Sequence, residues 1–212
     1  MRAAWGWCAA IGIIAFTCSG LFARTTSDIA AMFGSEPCTS TFVAAQKTGL
    51  LLDGLAFIPS YTGFLILAAI AAGARGRVKT VLITMFLVAA ISDEIEGFLL
   101  NAILDQLPGT PALLGALWWA VHVKFALLGF GTWGVGELVA RGRLFRRLFA
   151  AAIVPGSMLA IFGLMAAPAA WMMTGFTIAW VALLLAALTA SFVPSLFAAP
   201  AAQQPDQAAP SA

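Results

Sequence analysis

Three carboxylates lie inside an apolar run that is long enough to cross a lipid bilayer. The run extends from Thr80 to Leu104, and it contains Asp93, Glu94 and Glu96. A carboxylate in hydrocarbon costs several kcal/mol unless it is neutralised, paired or hydrated. Such residues are therefore expected where a membrane protein binds a ligand or a proton, or where a polar network holds its helices together.

The neighbouring apolar runs carry further polar side chains that could join these carboxylates. Asp93 and Glu96 are three residues apart, so they share one helix face, and Asn101 lies further along the same side. The run before contributes an aspartate and a tyrosine, and the run after contributes a histidine and a lysine. The predicted ligand- or proton-binding residues are Asp53, Tyr61, Asp93, Glu96, Asn101, His122 and Lys124.

The balance of charge in this set leaves two interpretations open. Lys124 can neutralise only one of the carboxylates of Asp53, Asp93 and Glu96. One of the other two should hold a proton, because burial and a like-charged neighbour both disfavour the ionised form. A protonated carboxyl beside a lysine could handle protons in a functional cavity. The alternative is a dry structural network, in which Lys124 pairs with Asp93 and fixes helix packing.

The composition predicts an integral membrane protein of the all-α class. Hydrophobic residues make up 62% of the chain and charged residues only 9%, whereas soluble domains carry about 25% charged residues. The net charge is only +2, and the basic residues lie in short loops. No basic face for nucleic acid is therefore expected. The expected fold is a single bundle of six transmembrane helices over residues 1–194, followed by a disordered Ala/Pro/Gln-rich tail at 195–212. The predicted helices are Trp5–Phe22, Gly49–Ala72, Thr80–Leu104, Ala112–Ala140, Leu148–Ala166 and Ala170–Phe192.

The first helix and the segment after it carry three subsidiary predictions. A cleaved signal peptide is the alternative for the first helix, but Leu21 is a poor residue for the −3 position of a cleavage site. Residues 24–47 are expected to form a polar loop, and Cys18 could form a disulfide with Cys38 near the oxidising face. Pro59 is expected to kink the second helix.

No cofactor and no metal ion are expected. The chain has no Cys-x-x-Cys motif, and its single histidine, His122, cannot supply the paired ligands of a b-type haem. Glycines at positions 129, 131, 134 and 136 predict a different kind of contact, because small residues allow another helix to approach closely. A helix-packing partner is therefore expected at the Gly129–Gly136 face.

The basic loops predict the orientation of the chain in the membrane. Residues 75–79 and 141–147 hold most of the arginines and lysines, and two crossings separate them. The positive-inside rule places both loops in the cytoplasm, and therefore both termini as well. The polar residues of helices two to four then lie in the outer half of the membrane.

Three stretches together resemble a widespread group of bacterial polytopic membrane proteins with no assigned activity. The stretches are L-D-G-L-A-F-I-P-S-Y at 52–61, S-D-E-I-E-G at 92–97 and the lone Lys124. That group carries Leu-Asp followed by Tyr, then Asp-x-x-Glu-Asn, then a membrane lysine, whereas this chain has Gly97 in place of the Asn. The resemblance covers about a third of the chain. It implies a bacterial inner-membrane protein in which these residues act as one unit.

Three classes of function follow, and the first is the leading hypothesis. The chain could bind or transport a small or lipid-like molecule in a carboxylate-rich outer cavity, with a link to proton uptake. It could be a membrane enzyme that uses Asp93 and Glu96 as acid and base. It could also be a structural or assembly subunit, although the surplus of carboxylates speaks against that role. The absence of an inverted repeat speaks against many transporter folds.

Overall fold

The computed structural model describes residues 2–32, 40–107, 109–142, 144–166 and 169–197, with the side chains of 22–42 and 169 left out. Throughout these ranges the chain is helical or forms short turns, and no strand occurs in them. The helices are α1 (Arg2–Met32), α2 (Ser40–Leu52), α3 (Ile58–Ala72), α4 (Gly76–Asp105), α5 (Pro111–Ala140), α6 (Leu144–Ala166) and α7 (Ala169–Phe192), and a short 3₁₀ turn follows at Pro194–Leu196.

A π-helical turn at Asp53–Phe57 joins α2 to α3 without a break in the helical path. The N–H of Ile58 bonds to the carbonyl of Asp53, five residues back. Pro59 explains the wide turn, because a proline lacks an N–H and its ring clashes with the carbonyl four residues before it. A π turn therefore precedes Pro59, and the predicted kink of the helix axis stays a prediction.

The predicted ends of several helices were wrong. The expected loop at 24–47 is helical at both ends, because α1 continues to Met32 and α2 begins at Ser40. Likewise Arg77 and Lys79 lie in the first turn of α4, and Arg146 lies in α6. A polar composition marks where a helix leaves the apolar layer, and the helix itself can continue beyond that point. Cys38 of the predicted disulfide and the predicted tail after Phe197 lie outside the described residues.

The helices form a closed ring. α1 packs against both α3 and α7, and the chain runs around the ring in order from α3 through α4, α5 and α6 to α7. Trp5 of α1 stacks edge to face on Phe197, with 5.6 Å between ring centroids, which brings the two ends of the described chain together. The ring places side chains from α1, α3, α4, α5 and α7 around a shared interior.

Within the described part, five helical segments are long and apolar enough to cross a membrane: Arg2–Leu21, Val43–Ala72, Pro111–Ala140, Leu144–Ala166 and Ala170–Phe192. These segments, in an all-helical chain with many exposed large apolar side chains, indicate a membrane protein. α4 is as long as α5, but its acidic residues give it more charge than an ordinary membrane-spanning segment carries.

One arginine connects three helices at the end of the ring where α3 and α5 end and α6 begins. Arg146 donates hydrogen bonds from Nη2 to the carbonyls of Ala72 and Leu138, at 3.0 and 3.1 Å. These carbonyls belong to the last turns of α3 and α5, where backbone acceptors have no partner within the helix. Arg146 therefore ties the ends of two helices to the start of α6.

Glycines allow the closest approach between two helices at the contact of α6 with α7. A methyl group on Gly156 would lie 2.9 Å from the backbone nitrogen of Ala179 and from the carbonyl of Gly175. Reciprocally, a methyl group on Gly175 would collide with the backbone of Ala160. Backbone atoms cannot rotate away, so these glycines set the separation of α6 and α7.

The four glycines at positions 129, 131, 134 and 136 face side chains of α4 and α6 in the same chain. Gly131 and Gly134 lie against Phe86 and Leu82, whereas Gly129 and Gly136 lie against side chains of α6. Neighbours of the Gly129–Gly136 face are thus supplied within the ring. A partner from another chain at this face stays a prediction.

We expect Gly175→Ala to destabilise the protein and Gly115→Ala to leave its stability nearly unchanged. The first substitution overpacks a backbone contact, which typically costs about 1–3 kcal/mol. The second lies in α5, where an added methyl group meets no atom within 4 Å. Reversible unfolding of the purified variants in mixed micelles measures both values. A Gly175→Ala variant as stable as Gly115→Ala would contradict the assigned α6–α7 contact.

Candidate ligand-binding site

An ion triad joins α4 to α5 in the interior of the ring. The Nζ atom of Lys124 donates to Oδ1 of Asp93 at 2.8 Å and lies 2.5 Å from Oε2 of Glu96. The side chains of Lys124 and Asp93 are each 8% exposed, and that of Glu96 is 18% exposed. Both carboxylates that the sequence placed on one helix face therefore share a single ammonium group.

Tyr61 completes the coordination of Asp93 from α3. Its hydroxyl donates to Oδ2 of Asp93 at 2.8 Å, and the tyrosine is almost fully buried. Asp93 therefore receives one hydrogen bond on each oxygen, from a cation and from a neutral donor. Such charge-assisted bonds are stronger than bonds between neutral groups. They link α3, α4 and α5 at one depth.

The outward face of α4 explains why its acidic residues turn inward. Ile91, Ile95 and Phe98 of α4 are exposed at the outer surface of the ring, and Phe98 is 74% exposed. Because residues three and four apart share a helix face, this apolar stripe leaves Asp93 and Glu96 on the opposite side. The pattern of α4 thus presents hydrocarbon outward and carboxylates inward.

Asp53 reaches the same interior from the π-helical turn. It is half-buried, and in the described part of the chain its carboxylate has neither a hydrogen-bond nor a salt-bridge partner. Next to it, Gly54 leaves room for Glu94 of α4, whose carboxylate oxygen would lie 3.2 Å from a methyl group at that position. The turn therefore brings a third carboxylate to the edge of the triad and a fourth close behind it.

The ion triad, Tyr61 and Asp53 line a cavity of about 280 Å³. Its charged and polar lining consists of Ser19, Asp53, Tyr61, Asp93, Glu96, Lys124 and Thr177. The rest of the wall is apolar and half of its residues are aromatic; it is formed by Ala15, Phe16, Leu50, Phe57, Leu100, Phe125, Leu128, Met173, Phe176 and Trp180. The cavity is therefore amphipathic, with charge gathered at one part of a mostly apolar wall.

A second, smaller cavity of about 70 Å³ lies between α1 and the α2–π segment. Asp53 and Phe57 line both cavities, and Cys18, Gly49, Leu52 and Ala56 contribute to the smaller one. Asp53 therefore stands at the boundary between the main cavity and a crevice on the side of the ring.

Five of the seven predicted site residues lie around the main cavity, and two do not. Asp53, Tyr61, Asp93, Glu96 and Lys124 are in its lining. Asn101 and His122 are absent from it. The Nδ1 atom of His122 lies 2.7 Å from the carbonyl of Trp118, and its ring stacks on the indole of Trp118 at 3.8 Å between centroids. His122 is thus held within its own helix and away from the triad.

The aromatic wall is the part of the site that sequence reasoning missed. Phe176 and Trp180 lie one turn apart on α7, and Trp180 stacks on Tyr61 with centroids 5.7 Å apart. The indole N–H of Trp180 donates to Thr132 Oγ1 at 3.2 Å, which fixes the ring. Aromatic residues at one-turn spacing are the available signal, but lipid-facing helices show the same spacing.

Comparison with models of known protein families, with curated proteins and with solved structures finds no match to this chain. Among the described residues, no three His, Cys, Asp or Glu side chains are arranged to hold a metal ion. The geometry of the cavity and its charges is therefore the basis for a functional hypothesis.

We expect Lys124→Met to fold and to lose less than about 3 kcal/mol of unfolding free energy. Removing one partner of a dry buried ion pair typically costs about 3–5 kcal/mol. Here the stranded carboxylates border a cavity, where water can hydrate them or a proton can neutralise them. Lys47→Met is the matched control, because Lys47 pairs with Asp105 at an exposed site and should matter by about 1 kcal/mol or less.

Unfolding of both lysine variants in mixed micelles makes the comparison. A Lys124→Met chain that fails to fold, while Lys47→Met folds normally, would show that the triad is a dry structural network.

Proposed function

We propose that this chain is a six-crossing membrane protein whose interior cavity binds or transports a small amphipathic or lipid-like molecule. The observation that carries the proposal is the joint lining of one cavity by the Lys124 triad, Asp53 and a continuous aromatic wall. Ligand sites in proteins typically combine mostly apolar walls with a few convergent polar groups. Ionisable residues inside a membrane protein mark such sites more often than they mark packing.

The sixth crossing in this proposal is α4. It is 30 residues long, and most of its exposed positions from 80 to 104, such as Val81, Val88 and Ile95, are apolar. Its carboxylates at 93 and 96 meet Lys124 in the interior, so a lipid environment around α4 would not contact them. These features support a membrane position for α4 despite its charges.

The proposed orientation has both termini in the cytoplasm of a bacterial cell. Arg2, Arg75, Arg77, Lys79 and Arg141 lie at one end of the ring, at helix ends or in turns. The positive-inside rule then places that end in the cytoplasm and the cavity in the outer half of the inner membrane.

Retention of α1 is part of the proposal. Ala15, Phe16 and Ser19 of α1 contribute to the cavity wall, and α1 packs against α3 and α7. Cleavage after this helix would remove one wall of the cavity and open the ring. The contacts of α1 thus favour a transmembrane helix over a signal peptide.

The charge of the cavity favours a binding site over a purely structural network. Asp53, Asp93 and Glu96 provide three negative charges when ionised, and Lys124 provides one positive charge, which gives a net charge of −2. A network that served packing alone would be satisfied by Lys124 with one or two carboxylates. The third carboxylate, Asp53, is explained by a ligand or by a proton that binds with it.

For orientation, we expect alkaline phosphatase fused after Ala212 to be inactive in cells. The enzyme folds only after export, and the proposed topology keeps the C-terminus inside. A fusion after Gly109, in the turn between α4 and α5, should be active and serves as the control. An active C-terminal fusion would invert the topology and place the cavity in the cytoplasmic half.

For binding, we expect Ser19→Trp to weaken binding of a small amphipathic probe at least about tenfold and Gly20→Trp to leave it unchanged. Ser19 lines the cavity, and an indole there would fill part of it. Gly20 is the next residue, and a side chain added there meets no atom within 4 Å. The probe is benzyltrimethylammonium, titrated calorimetrically into purified protein in micelles, with protein-free micelles as the blank.

Saturable binding of equal affinity in the two tryptophan variants would contradict a ligand site in this cavity. A saturable signal in wild type and Gly20→Trp that falls at least about tenfold in affinity in Ser19→Trp would support it.

A further inference from the structure

We propose that the cavity selects organic cations, with Asp53 as the counter-ion of the ligand's ammonium group. This inference rests on the proposed function and names its ligand class. The expected ligand has an apolar, preferably aromatic body of about a dozen non-hydrogen atoms and one amine or quaternary ammonium group. The charge of the cavity, its aromatic wall and its volume each favour such a ligand.

Charge favours a cation over an anion, because the one ammonium group in the cavity is already occupied. Lys124 lies 2.8 Å from an oxygen of Asp93 and 2.5 Å from an oxygen of Glu96, which leaves it little capacity to bind a ligand carboxylate or phosphate. Asp53 is different, since its carboxylate has no hydrogen-bond or salt-bridge partner in the described part of the chain. An incoming cation would meet an available carboxylate and a net negative charge.

The aromatic wall provides the second half of a cation site. Rings follow one another across it, with centroids 5.2 Å apart for Phe57 and Tyr61, 5.7 Å for Tyr61 and Trp180, and 5.7 Å for Trp180 and Phe176. The faces of such rings attract ammonium groups, and a desolvated site strengthens the attraction. Lys124 already lies 4.4 Å from the centroid of Phe125, so this wall tolerates a cation over a ring.

The size of the cavity sets the scale of the ligand. A cavity of about 150 Å³ can hold one benzene molecule. The volume here is about 280 Å³, which leaves room for a phenyl ring and an ammonium group with its substituents. Benzyltrimethylammonium has these parts, and its ammonium could face Asp53 while its phenyl ring meets Trp180 and Phe176.

Three probes of nearly equal shape test the charge preference in wild-type protein. They are benzyltrimethylammonium, the neutral isostere neopentylbenzene, in which carbon replaces nitrogen, and the anion 3-phenylpropanoate. Calorimetric titration in micelles, corrected with protein-free micelles, measures the affinity of each. We expect the cation to bind at least about tenfold more tightly than the neutral isostere, and the anion to bind most weakly.

Three variants then test the role of Asp53. Asp53→Asn should weaken binding of the cation at least about tenfold and leave the neutral probe unchanged, whereas Asp53→Glu should retain the preference for the cation. Asp105→Asn is the matched control, because it removes an equal charge from an exposed pair outside the cavity. Its affinity for the cation should equal that of wild type.

The outcomes separate this inference from the proposed function. If the neutral or anionic probe binds as tightly as the cation, or if Asp53→Asn keeps full affinity for the cation, the inference is wrong and a ligand site of another class remains. If none of the three probes binds to wild-type protein, both the inference and the proposed function are wrong. Should Asp53→Asn fail to fold, the three probes on wild type and Asp53→Glu decide the matter.

Discussion

The contact of one ammonium group with two carboxylates is the constraint on which the rest of this structure depends. In hydrocarbon, Lys124, Asp93 and Glu96 would each cost several kcal/mol if they were unpaired. Placing them together in the interior fixes the rotation of α4 and α5, and the hydroxyl of Tyr61 adds α3 to the same contact. The apolar stripe of α4 then faces outward as a consequence. This arrangement keeps the carboxylates of Asp93 and Glu96 off the outer surface of the ring.

The cavity follows from how the ring closes around that contact. α7 approaches α6 closely through glycines and packs against α1 on its other side. Its Trp180 stacks on Tyr61, which donates a hydrogen bond to Asp93 of the triad. The π-helical turn before Pro59 adds Asp53 at the rim. The result is an interior in which fixed rings adjoin fixed charges. Such a wall is already organised before a ligand arrives, which lowers the entropy cost of binding.

Part of this arrangement could be predicted from the sequence, because a polar side chain in an apolar membrane segment must face another polar group or water. The all-helical class, the shared face of Asp93 and Glu96, and the pairing of Lys124 follow from helical spacing and the cost of exposed charge. The aromatic wall could not be predicted, since Phe176 and Trp180 would look the same on a lipid-facing helix. Pro59 predicted a distortion but not a π turn. The predicted loop at 24–47 was wrong at both ends, because a polar composition does not by itself end a helix.

The most direct test of the central claim is the reactivity of two cysteines on α4, placed in a chain whose native cysteines are replaced by serine. Leu100 lines the cavity, whereas Phe98, two residues away, is exposed on the outer surface of the ring. A thiol reacts as the hydrated thiolate, so a membrane-impermeant cationic methanethiosulfonate added to intact cells reports on access by water. We expect Leu100→Cys to be labelled and Phe98→Cys to stay unlabelled. Labelling of Phe98→Cys alone, or of neither residue, would contradict a water-accessible cavity lined by the triad and the aromatic wall.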